Sequence, residues 1–507
     1  MKLQSFLTRR NILIILICLA LIFSFAFWYF HGFIIATSSD GVAKIRYIST
    51  SNLNREVKSG SNKTFLASGK YVIEVSDTSS GEKILKYATV PHFFNSTHVS
   101  SLSPSRQHEI TVIGRGTLPN LALTESKLIA YNISGQTQTV NISNITNSQP
   151  LSTNNSFPSL SQSIVLNSQL IGGIENQSNK AIIPVIYNVT NSEVNTFPSV
   201  DTKNQSDISL KSSPDGFTSY IPDTKRVYLY SIHDSRSVSS SISLKNITPS
   251  TYNDRPIYSY ANNTLAIATG ASIFDTDEGN STNKYKSNRI ILFDTKTEKQ
   301  ITTLNTNVAS LKDVYLSPNG KYIALEASSY MEIYSLASRK IIFTVPYQVN
   351  QLIWADDDKY VFSVSGGDIY TGSISKRTAE TLVSYSIIKP TKLLIISNGN
   401  LYFTAYPVVS EGNANPDAFR VSLEQTADSS SRNIISKLPH QGDGYYIDSI
   451  DNVIYIQLTK YIDSTSPLVT HVDESAKQAA LTYVNNLIGD SKKYVIKYKY
   501  VTMNLDY

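Results

Sequence analysis

The amino-acid sequence predicts a mainly β protein: an N-terminal transmembrane helix, a small β-sandwich-like domain, a β-propeller of about seven or eight blades and a short C-terminal helix-strand appendage. Three observations predict this fold class. An uncharged apolar run opens the chain, and the composition favours strands. A turn-and-strand unit also recurs, since Pro318, Asp356 and Asn398 are 38 and 42 residues apart.

The composition indicates strands joined by polar turns. Charged residues make up only 17% of the 507 residues, whereas Tyr alone occurs 32 times. The net charge is +5, and Lys2, Arg9 and Arg10 precede the apolar run, so the rest of the chain is almost neutral. This balance argues against a nucleic-acid partner. The single cysteine, Cys18, excludes an intramolecular disulfide framework and a multi-cysteine metal site.

Residues 12–30 carry no charged side chain, and as a helix they would extend roughly 28 Å, close to the hydrocarbon thickness of a bilayer. The competing interpretation is a cleaved signal peptide, whose apolar stretch is usually about 7–15 residues. Because this run is longer and no small-x-small site precedes Gly32, we expect an uncleaved signal-anchor over residues 12–35. The preceding cations place residues 1–11 in the cytoplasm and the rest outside, as a single-pass cell-membrane protein.

Residues 36–92 read as a small β-domain. Strands are predicted at Val42–Thr50, Lys70–Ser76 and Lys83–Val90, with Tyr71, Ile73 and Val75 sharing one face. The order of strand, Gly turn and Gly-x-Tyr-x-x-x-Val strand, carried by Gly69, Tyr71 and Val75 after the Asp40–Ala43 turn, resembles the PEGA family of small surface-layer-type β-sandwiches. That resemblance implies a spacer or an envelope-contact role.

Residues 100–460 contain the repeats. In the clearest unit, Val314–Leu325, a strand ends at Leu316, the turn Pro318-Asn319-Gly320 follows, and the next strand begins at Tyr322. At about 45–50 residues per blade, this region holds about seven or eight blades. The Ser-Pro-Asn/Asp-Gly-x-x-Ile-Ala pattern of Ser317–Ala324 and Ser213–Gly216 is similar to the repeats of TolB-like and WD-repeat-like β-propellers. No Trp-Asp dipeptide occurs, which favours the looser bacterial type.

Residues 467–507 read as a helix and a strand packed on the propeller. Asp473 is the predicted N-cap of a helix whose apolar face carries Ala476, Ala480 and Val484. Lys493–Asn504 is the predicted strand. Because a propeller leaves few exposed edges only when its ends join, we expect Val453–Leu458, at the end of the repeats, to supply the closing strand.

The catalytic motifs that accompany propellers in peptidases are missing from the sequence. No Gly-x-Ser-x-Gly elbow occurs, and the 47 residues after Lys460 are too few for an α/β-hydrolase domain. We therefore expect no enzyme activity and no cofactor.

Two acidic segments are the candidate metal sites. Asp275 and Asp277 alternate as in a calcium loop, but the Gly at the sixth place and the Glu at the twelfth are missing. Asp356, Asp357 and Asp358 fall at a predicted blade turn. Hydrated surface loops are the competing interpretation of both segments, and the seven histidines form no close ligand pair.

These patterns lead to a functional hypothesis. The sequence predicts a membrane-anchored extracytoplasmic propeller that acts as a binding or scaffolding module for a cell-envelope protein or glycan. One alternative is a glycan-active enzyme that uses carboxylates of the propeller channel. The other is a purely structural surface protein.

Overall fold

The fold is described from a computed structural model. It describes these residues: 9–38, 43–51, 56–59, 63–77, 83–102, 110–114, 120–123, 127–131, 137–141, 160–166, 170–178, 181–188, 191, 193–203, 208–213, 216–233, 236–244, 247, 249–252, 255–270, 289–306, 308, 310–384, 388–397, 399–407, 416–423, 440–442, 445–450, 453–463, 470–488 and 495–505. The protein is mainly β and consists of many antiparallel sheets, as predicted.

The chain folds into two compact units. The first comprises Met1–Arg106 with two short later segments, Phe343–Pro346 and Lys376–Glu380. The second comprises Gln107–Ile342, Tyr347–Ser375 and Thr381–Tyr507.

The first unit begins with helix α1 (Arg9–Tyr29), whose large apolar side chains from Ile15 onwards are exposed. Searched over the residues described here, no helix combines the length and the apolar character that crossing a membrane requires. The strands that follow are β1 (His31–Ser38), β2 (Ala43–Ser49), β3 (Glu56–Ser59), β4 (Lys63–Ala67), β5 (Gly69–Asp77), β6 (Lys83–Val90) and β7 (Ser96–Leu102).

These strands form two sheets around one core. One sheet has the order β4-β1-β7, with β1 and β7 parallel, and the other contains β3-β2-β5-β6. Tyr71, Ile73 and Val75 alternate along β5 and all enter the core, which also takes Ile34 and Val99 from the other sheet. The three strands predicted for residues 42–90 are therefore confirmed, within one or two residues at their ends.

The second unit begins with β8 (Ile110–Gly114) and continues as a series of small sheets in chain order. The first is β9 (Asn120–Leu123), β10 (Lys127–Tyr131) and β11 (Thr137–Asn141). The second is β12 (Gln162–Val165), β13 (Leu170–Ser178), β14 (Ala181–Asn188), β15 (Glu193–Thr196) and β16 (Val200–Asp201). The third is β17 (Ser209–Ser213), β18 (Gly216–Ile221), β19 (Arg226–His233) and β20 (Arg236–Ser243).

A two-stranded ribbon, β21 (Thr251–Tyr252) and β22 (Arg255–Pro256), precedes the fourth sheet. That sheet is β23 (Tyr258–Ala261), β24 (Thr264–Thr269), β25 (Arg289–Asp294) and β26 (Lys299–Asn305). The fifth is β27 (Leu311–Leu316), β28 (Tyr322–Ala327), β29 (Met331–Ser335) and β30 (Lys340–Val345). The sixth is β31 (Val349–Trp354), β32 (Lys359–Val364), β33 (Ile369–Ser373) and β34 (Thr378–Val383), and the seventh begins with β35 (Ile388–Ser397), β36 (Asn400–Pro407) and β37 (Asp417–Ser422).

The predicted repeat unit at Val314–Leu325 is confirmed. Strand β27 ends at Leu316 and β28 begins at Tyr322. Between them Gly320 adopts a φ of +67°, which a residue without a side chain tolerates, and its N–H donates to Ser317 O over 2.8 Å. The Ser317 hydroxyl accepts from the N–H groups of Lys321 and Tyr322, so the turn is tied at both ends.

Consecutive sheets pack face to face. One apolar cluster joins the third and fourth sheets through residues such as Val227 and Leu265, and another joins the fourth and fifth through Leu292 and Leu325. A third cluster joins the second and third sheets through Ile182 and Ile221. The second to fifth sheets therefore bury faces against their neighbours in the chain.

The seventh sheet is completed by β8, a strand from the start of the second unit. The order is β35-β36-β37-β8, and Val421, Arg420 and Phe419 of β37 lie opposite Ile110, Thr111 and Val112. Val453–Leu458, the segment predicted to supply a closing strand, pairs instead with Tyr445–Ile450.

The C-terminal elements form a sheet of their own, with helix α2 (Glu474–Ile488) packed on it. Its strands are β38 (His440–Gly442), β39 (Tyr445–Ile450), β40 (Val453–Asp463), β41 (Thr470–Val472) and β42 (Val495–Leu505), and β42 runs parallel to β40. Asp473 caps α2, because its Oδ1 accepts from the N–H groups of Ser475 and Ala476. The predicted cap is confirmed, and the predicted apolar face, Ala476, Ala480 and Val484, is buried against β39 and β40.

Candidate ligand-binding cavity

The second unit contains a cavity of about 830 Å³, lined by the leading strands of six sheets. These are β12, β17, β23 with its ribbon β21–β22, β27, β31 and β35. Strands of six separate sheets share one cavity only if they converge. Such a concave space with several polar groups is the usual form of a ligand site.

Side chains of the lining strands hold their neighbours in place. Each bond joins one strand to the next in the series, with a side chain at one end and the backbone at the other. The bonds are Tyr258 Oη to Ser209 O (3.1 Å), Leu316 N to Ser259 Oγ (3.0 Å), Trp354 Nε1 to Tyr315 O (3.4 Å), Gln351 Nε2 to Leu393 O (2.8 Å) and Leu393 N to Gln351 Oε1 (2.9 Å).

The lining is dominated by cations. Among the described lining residues, the cations are Lys211, Arg255, Lys312 and Lys392, and the anion is Asp313. Four positive side chains against one carboxylate give the cavity a positive potential, and low-dielectric walls strengthen such a potential.

The one lining carboxylate is already neutralised. Lys211 Nζ donates to Asp313 Oδ1, and the same ammonium lies 5.2 Å from the centre of the Tyr258 ring. Strand β23 lies between the strands that carry Lys211 and Asp313 in the series, so this ion pair joins two non-consecutive sheets. The remaining lining cations have no described carboxylate within salt-bridge distance.

A buried acid stands beside Asp313. Glu326 lies directly opposite it in the ladder and is only 5% exposed, and Tyr315 Oη donates to Glu326 Oε2 over 2.8 Å. Burial, followed by repulsion from the Asp313 carboxylate, raises the pKa of Glu326 to about 7, against the opposing effects of Tyr315 and two lysines. Glu326 therefore changes charge near neutral pH.

Lys392 stands within the cavity wall while its side chain remains open to water. The surrounding protein lowers its pKa, because the charged ammonium is less well hydrated there than in bulk solvent. The exposure of Lys392 to water limits this effect.

The three consecutive aspartates of the predicted metal site lie at the turn between β31 and β32, and their carboxylates bind different groups. Asp356 Oδ1 accepts from the N–H groups of Asp358 and Lys359, over 2.7 and 2.6 Å. Asp358 accepts from Ser375 N and Ser373 Oγ. Burial acts to raise the pKa of Asp358, but these bonds outweigh it and the pKa is lowered.

Asp357 instead reaches the preceding sheet. Its Oδ1 accepts from Asn319 N (3.0 Å), and its Oδ2 accepts from Asn319 Nδ2 (2.8 Å) and lies 3.3 Å from Lys321 Nζ. Asn319 O in turn accepts from Asn262 Nδ2 over 3.0 Å. The first turns of the fourth, fifth and sixth sheets are thus linked in a row, and Asp357 is the aspartate that makes this connection.

The other two predicted metal ligands, Asp275 and Asp277, lie outside the described residues. Among the residues that the structure describes, no group of three His, Cys, Asp or Glu side chains is placed to hold a metal ion. His92 Nδ1 lies 3.1 Å from Tyr29 O, and His98 Nε2 lies 3.5 Å from Ser96 Oγ.

An aromatic cluster lies where α1 meets the first unit. Phe93 packs on Trp28 and Tyr29 with ring centres 4.8 and 4.7 Å apart, and Phe94 N donates to His31 O over 2.8 Å. Phe93 and Phe94 have φ values of 58° and 57°, a region that bulky residues rarely adopt. They nevertheless remain 39% and 37% exposed, so the loop presents two aromatic rings to its surroundings.

The cationic lining was not found from the sequence. Lys312 and Asp313 interrupt the apolar strand Leu311–Leu316, and Lys211 follows Leu210 in the same way. Charged residues in the middle of a predicted inner strand were the available signal. The sequence could not show that these positions, from β17 to β35, meet at one cavity.

A scan against protein-family models gave no match to this chain, and a search of the curated proteins found none similar to it.

Proposed function

We propose that this protein is a membrane-anchored, extracytoplasmic β-propeller that acts as a binding or scaffolding module for a cell-envelope protein or glycan. The convergence of six leading strands on one cavity of about 830 Å³ carries the proposal. A propeller gathers the first strand of each blade around its axis, and ligands commonly bind there or at the adjoining loops.

The strand pairing supports a ring of seven blades. Seven described groups of strands follow one another from β9–β11 to β35–β37. Apolar cores join the second to the fifth of them in consecutive pairs, and another joins the sixth and the seventh. Strand β8, which precedes the first sheet, pairs with the last, and β35 also contacts β9. An early strand that completes the final blade is the usual way to remove the exposed edges of a ring.

The anchor is supported by α1 and by the aromatic cluster. Its exposed residues include Leu21, Ile22, Phe23 and Phe25, which would be costly in water and favourable in lipid. Trp28 and Tyr29, with Phe93 and Phe94 beside them, have the composition of an aromatic belt at a membrane interface.

Protease added to intact cells, with any outer barrier permeabilised, is expected to digest the chain beyond Ile35 and leave a small protected N-terminal fragment. The cations before residue 12 predict this orientation. The fragment is followed by an N-terminal epitope tag on a denaturing gel. Protection of the whole chain until the cell membrane is lysed would contradict the orientation, and a freely released protein would contradict the anchor.

The binding proposal predicts that a bulky side chain in the cavity abolishes ligand binding. Ser212→Trp, on β17, would occupy the cavity, whereas Ser338→Trp lies on an exposed turn between β29 and β30. Purified full-length variants are mixed with washed envelope material, and the sedimented fraction is measured. We expect Ser212→Trp to lose binding at least about tenfold with Ser338→Trp unchanged. Equal binding by the unmodified protein and both variants would show that the binding site is not in the cavity.

Glycan cleavage is the second candidate, favoured by one observation. Asp313 and Glu326 lie opposite each other in one ladder, so two carboxyl groups share one face of the sheet, and the raised pKa of Glu326 suits a general acid. Against it, Asp313 is neutralised by Lys211, and Glu326 does not line the cavity. If the protein cleaves an envelope polysaccharide and Asp313→Asn abolishes that cleavage, glycan cleavage becomes the favoured function over binding alone.

A further inference from the structure

We propose that the cavity binds a chain of repeated negative charges, in which phosphate or carboxylate groups are the recognised chemistry. This inference rests on the proposed function, because it names the class of ligand for the same cavity. Its evidence is the identity and placement of the lining side chains.

The first step concerns charge. Lys211 and Asp313 neutralise each other, whereas Arg255, Lys312 and Lys392, the other cations of the described lining, form no ion pair with a carboxylate of the described residues. A ligand that enters this space loses water, so a neutral ligand would leave the three cations poorly solvated. An anion would replace the lost hydration with charge-assisted hydrogen bonds.

The three lining cations come from separate elements around the cavity wall. Arg255 belongs to the ribbon β21–β22, Lys312 to β27 and Lys392 to β35. A single small anion is normally held by neighbouring groups that converge on it. Charges distributed around the wall of a cavity of about 830 Å³ suit a ligand that carries several anionic groups.

The third step concerns the neutral groups. Ser209, Ser212 and Ser259 line the same space and supply hydroxyls to phosphate or carboxylate oxygens. The aromatic surface that neutral sugars usually stack on is small. Tyr252 already lies under Lys312, 5.7 Å from the ammonium, and the hydroxyl of Tyr315 is bound to Glu326. The lining therefore favours charge recognition over sugar stacking.

The test uses the full-length protein in detergent and three soluble probes in a calorimeter. Tripolyphosphate carries the phosphate chemistry, tri-galacturonate carries the carboxylate chemistry, and maltotriose is the neutral comparison. We expect at least one anionic probe to bind and maltotriose not to bind, with affinity falling as salt is raised from 50 to 300 mM because screening weakens the attraction. The stronger of the two anionic probes identifies the recognised group.

The double variant Arg255→Gln/Lys312→Gln is expected to weaken binding of the anionic probe by about tenfold or more. The matched control, Lys299→Gln/Lys340→Gln, removes the same charge from exposed outer strands and is expected to have no effect. Melting curves of both variants confirm that they are folded.

Several outcomes overturn the inference. One is that the unmodified protein binds neither anionic probe. Another is that the cavity double variant and the control double variant lose affinity equally, which would indicate attraction to general surface charge. If maltotriose binds and Ser212→Trp abolishes that binding, the cavity is a ligand site but not for anions. If anions bind and Ser212→Trp has no effect, the cavity is not the site, and the proposed function fails with the inference.

Discussion

A disulfide engineered between positions 111 and 420 is expected to form spontaneously and to stabilise the protein by about 3 kcal/mol. Thr111 of β8 lies directly opposite Arg420 of β37, and opposed residues of antiparallel strands have Cα atoms within disulfide range. The bond would close a loop of about three hundred residues, which removes much of the freedom of the unfolded chain.

The measurement is the denaturant midpoint of the oxidised protein against the same protein after reduction. Cys18→Ser is included in every variant so that the native thiol cannot pair. The variants Thr111→Cys and Arg420→Cys, each alone, are the controls and should show no difference between oxidising and reducing conditions. Failure of the two engineered cysteines to pair in the folded protein would contradict the placement of β8 in the seventh sheet, and with it the proposed closure of the ring.

The free energy of unfolding is expected to fall by about 3 kcal/mol between pH 4.5 and pH 7 through Glu326 alone. Folded Glu326 keeps its proton up to about pH 7, whereas in the unfolded chain it releases the proton near its ordinary pKa of 4.5. Within this window the folded protein binds more protons than the unfolded chain, so raising the pH favours unfolding.

Glu326→Gln should remove this dependence, because an amide stays neutral and can still accept from the Tyr315 hydroxyl. Relative to the unmodified protein, the variant should gain up to about 3 kcal/mol on going from pH 5 to pH 8. Urea midpoints at the two pH values measure the change. Glu298→Gln, which removes a carboxylate from an exposed turn, is the control. If the free energy of unfolding changes equally between the two pH values in Glu326→Gln and in the unmodified protein, Glu326 is already ionised at pH 5.

The local structure of the repeats was predictable from the sequence, but the pairing of β8 with β37 was not. Turn residues such as Ser317 and Gly320 act within a few residues of their own strands, so the Val314–Leu325 unit could be read directly. The partner of an edge strand depends on which distant edge is free, and nothing in residues 110–114 records that their partner is 417–422. Val453–Leu458 looked suitable only because it followed the last repeat.

In the candidate site too, local structure could be predicted from the sequence, but long-range contacts could not. The aspartates at 356–358 were correctly expected at a turn, but their carboxylates are used by neighbouring backbone and amide groups. Nothing in the sequence relates the four lining cations to one another, because each is an ordinary lysine or arginine in its own strand. These cations are Lys211, Arg255, Lys312 and Lys392. Their importance arises only from convergence, which is a property of the assembled sheets.

The pairing of β8 with β37 also sets a waiting time during synthesis. Arg420 is made 309 residues after Thr111, which at about 5–20 residues per second means roughly 15–60 seconds. Throughout that interval β8 has no partner for its backbone, and the growing series of sheets has two open ends. Since unpaired strand edges promote aggregation, we expect the nascent chain to depend on chaperones until the seventh sheet is complete.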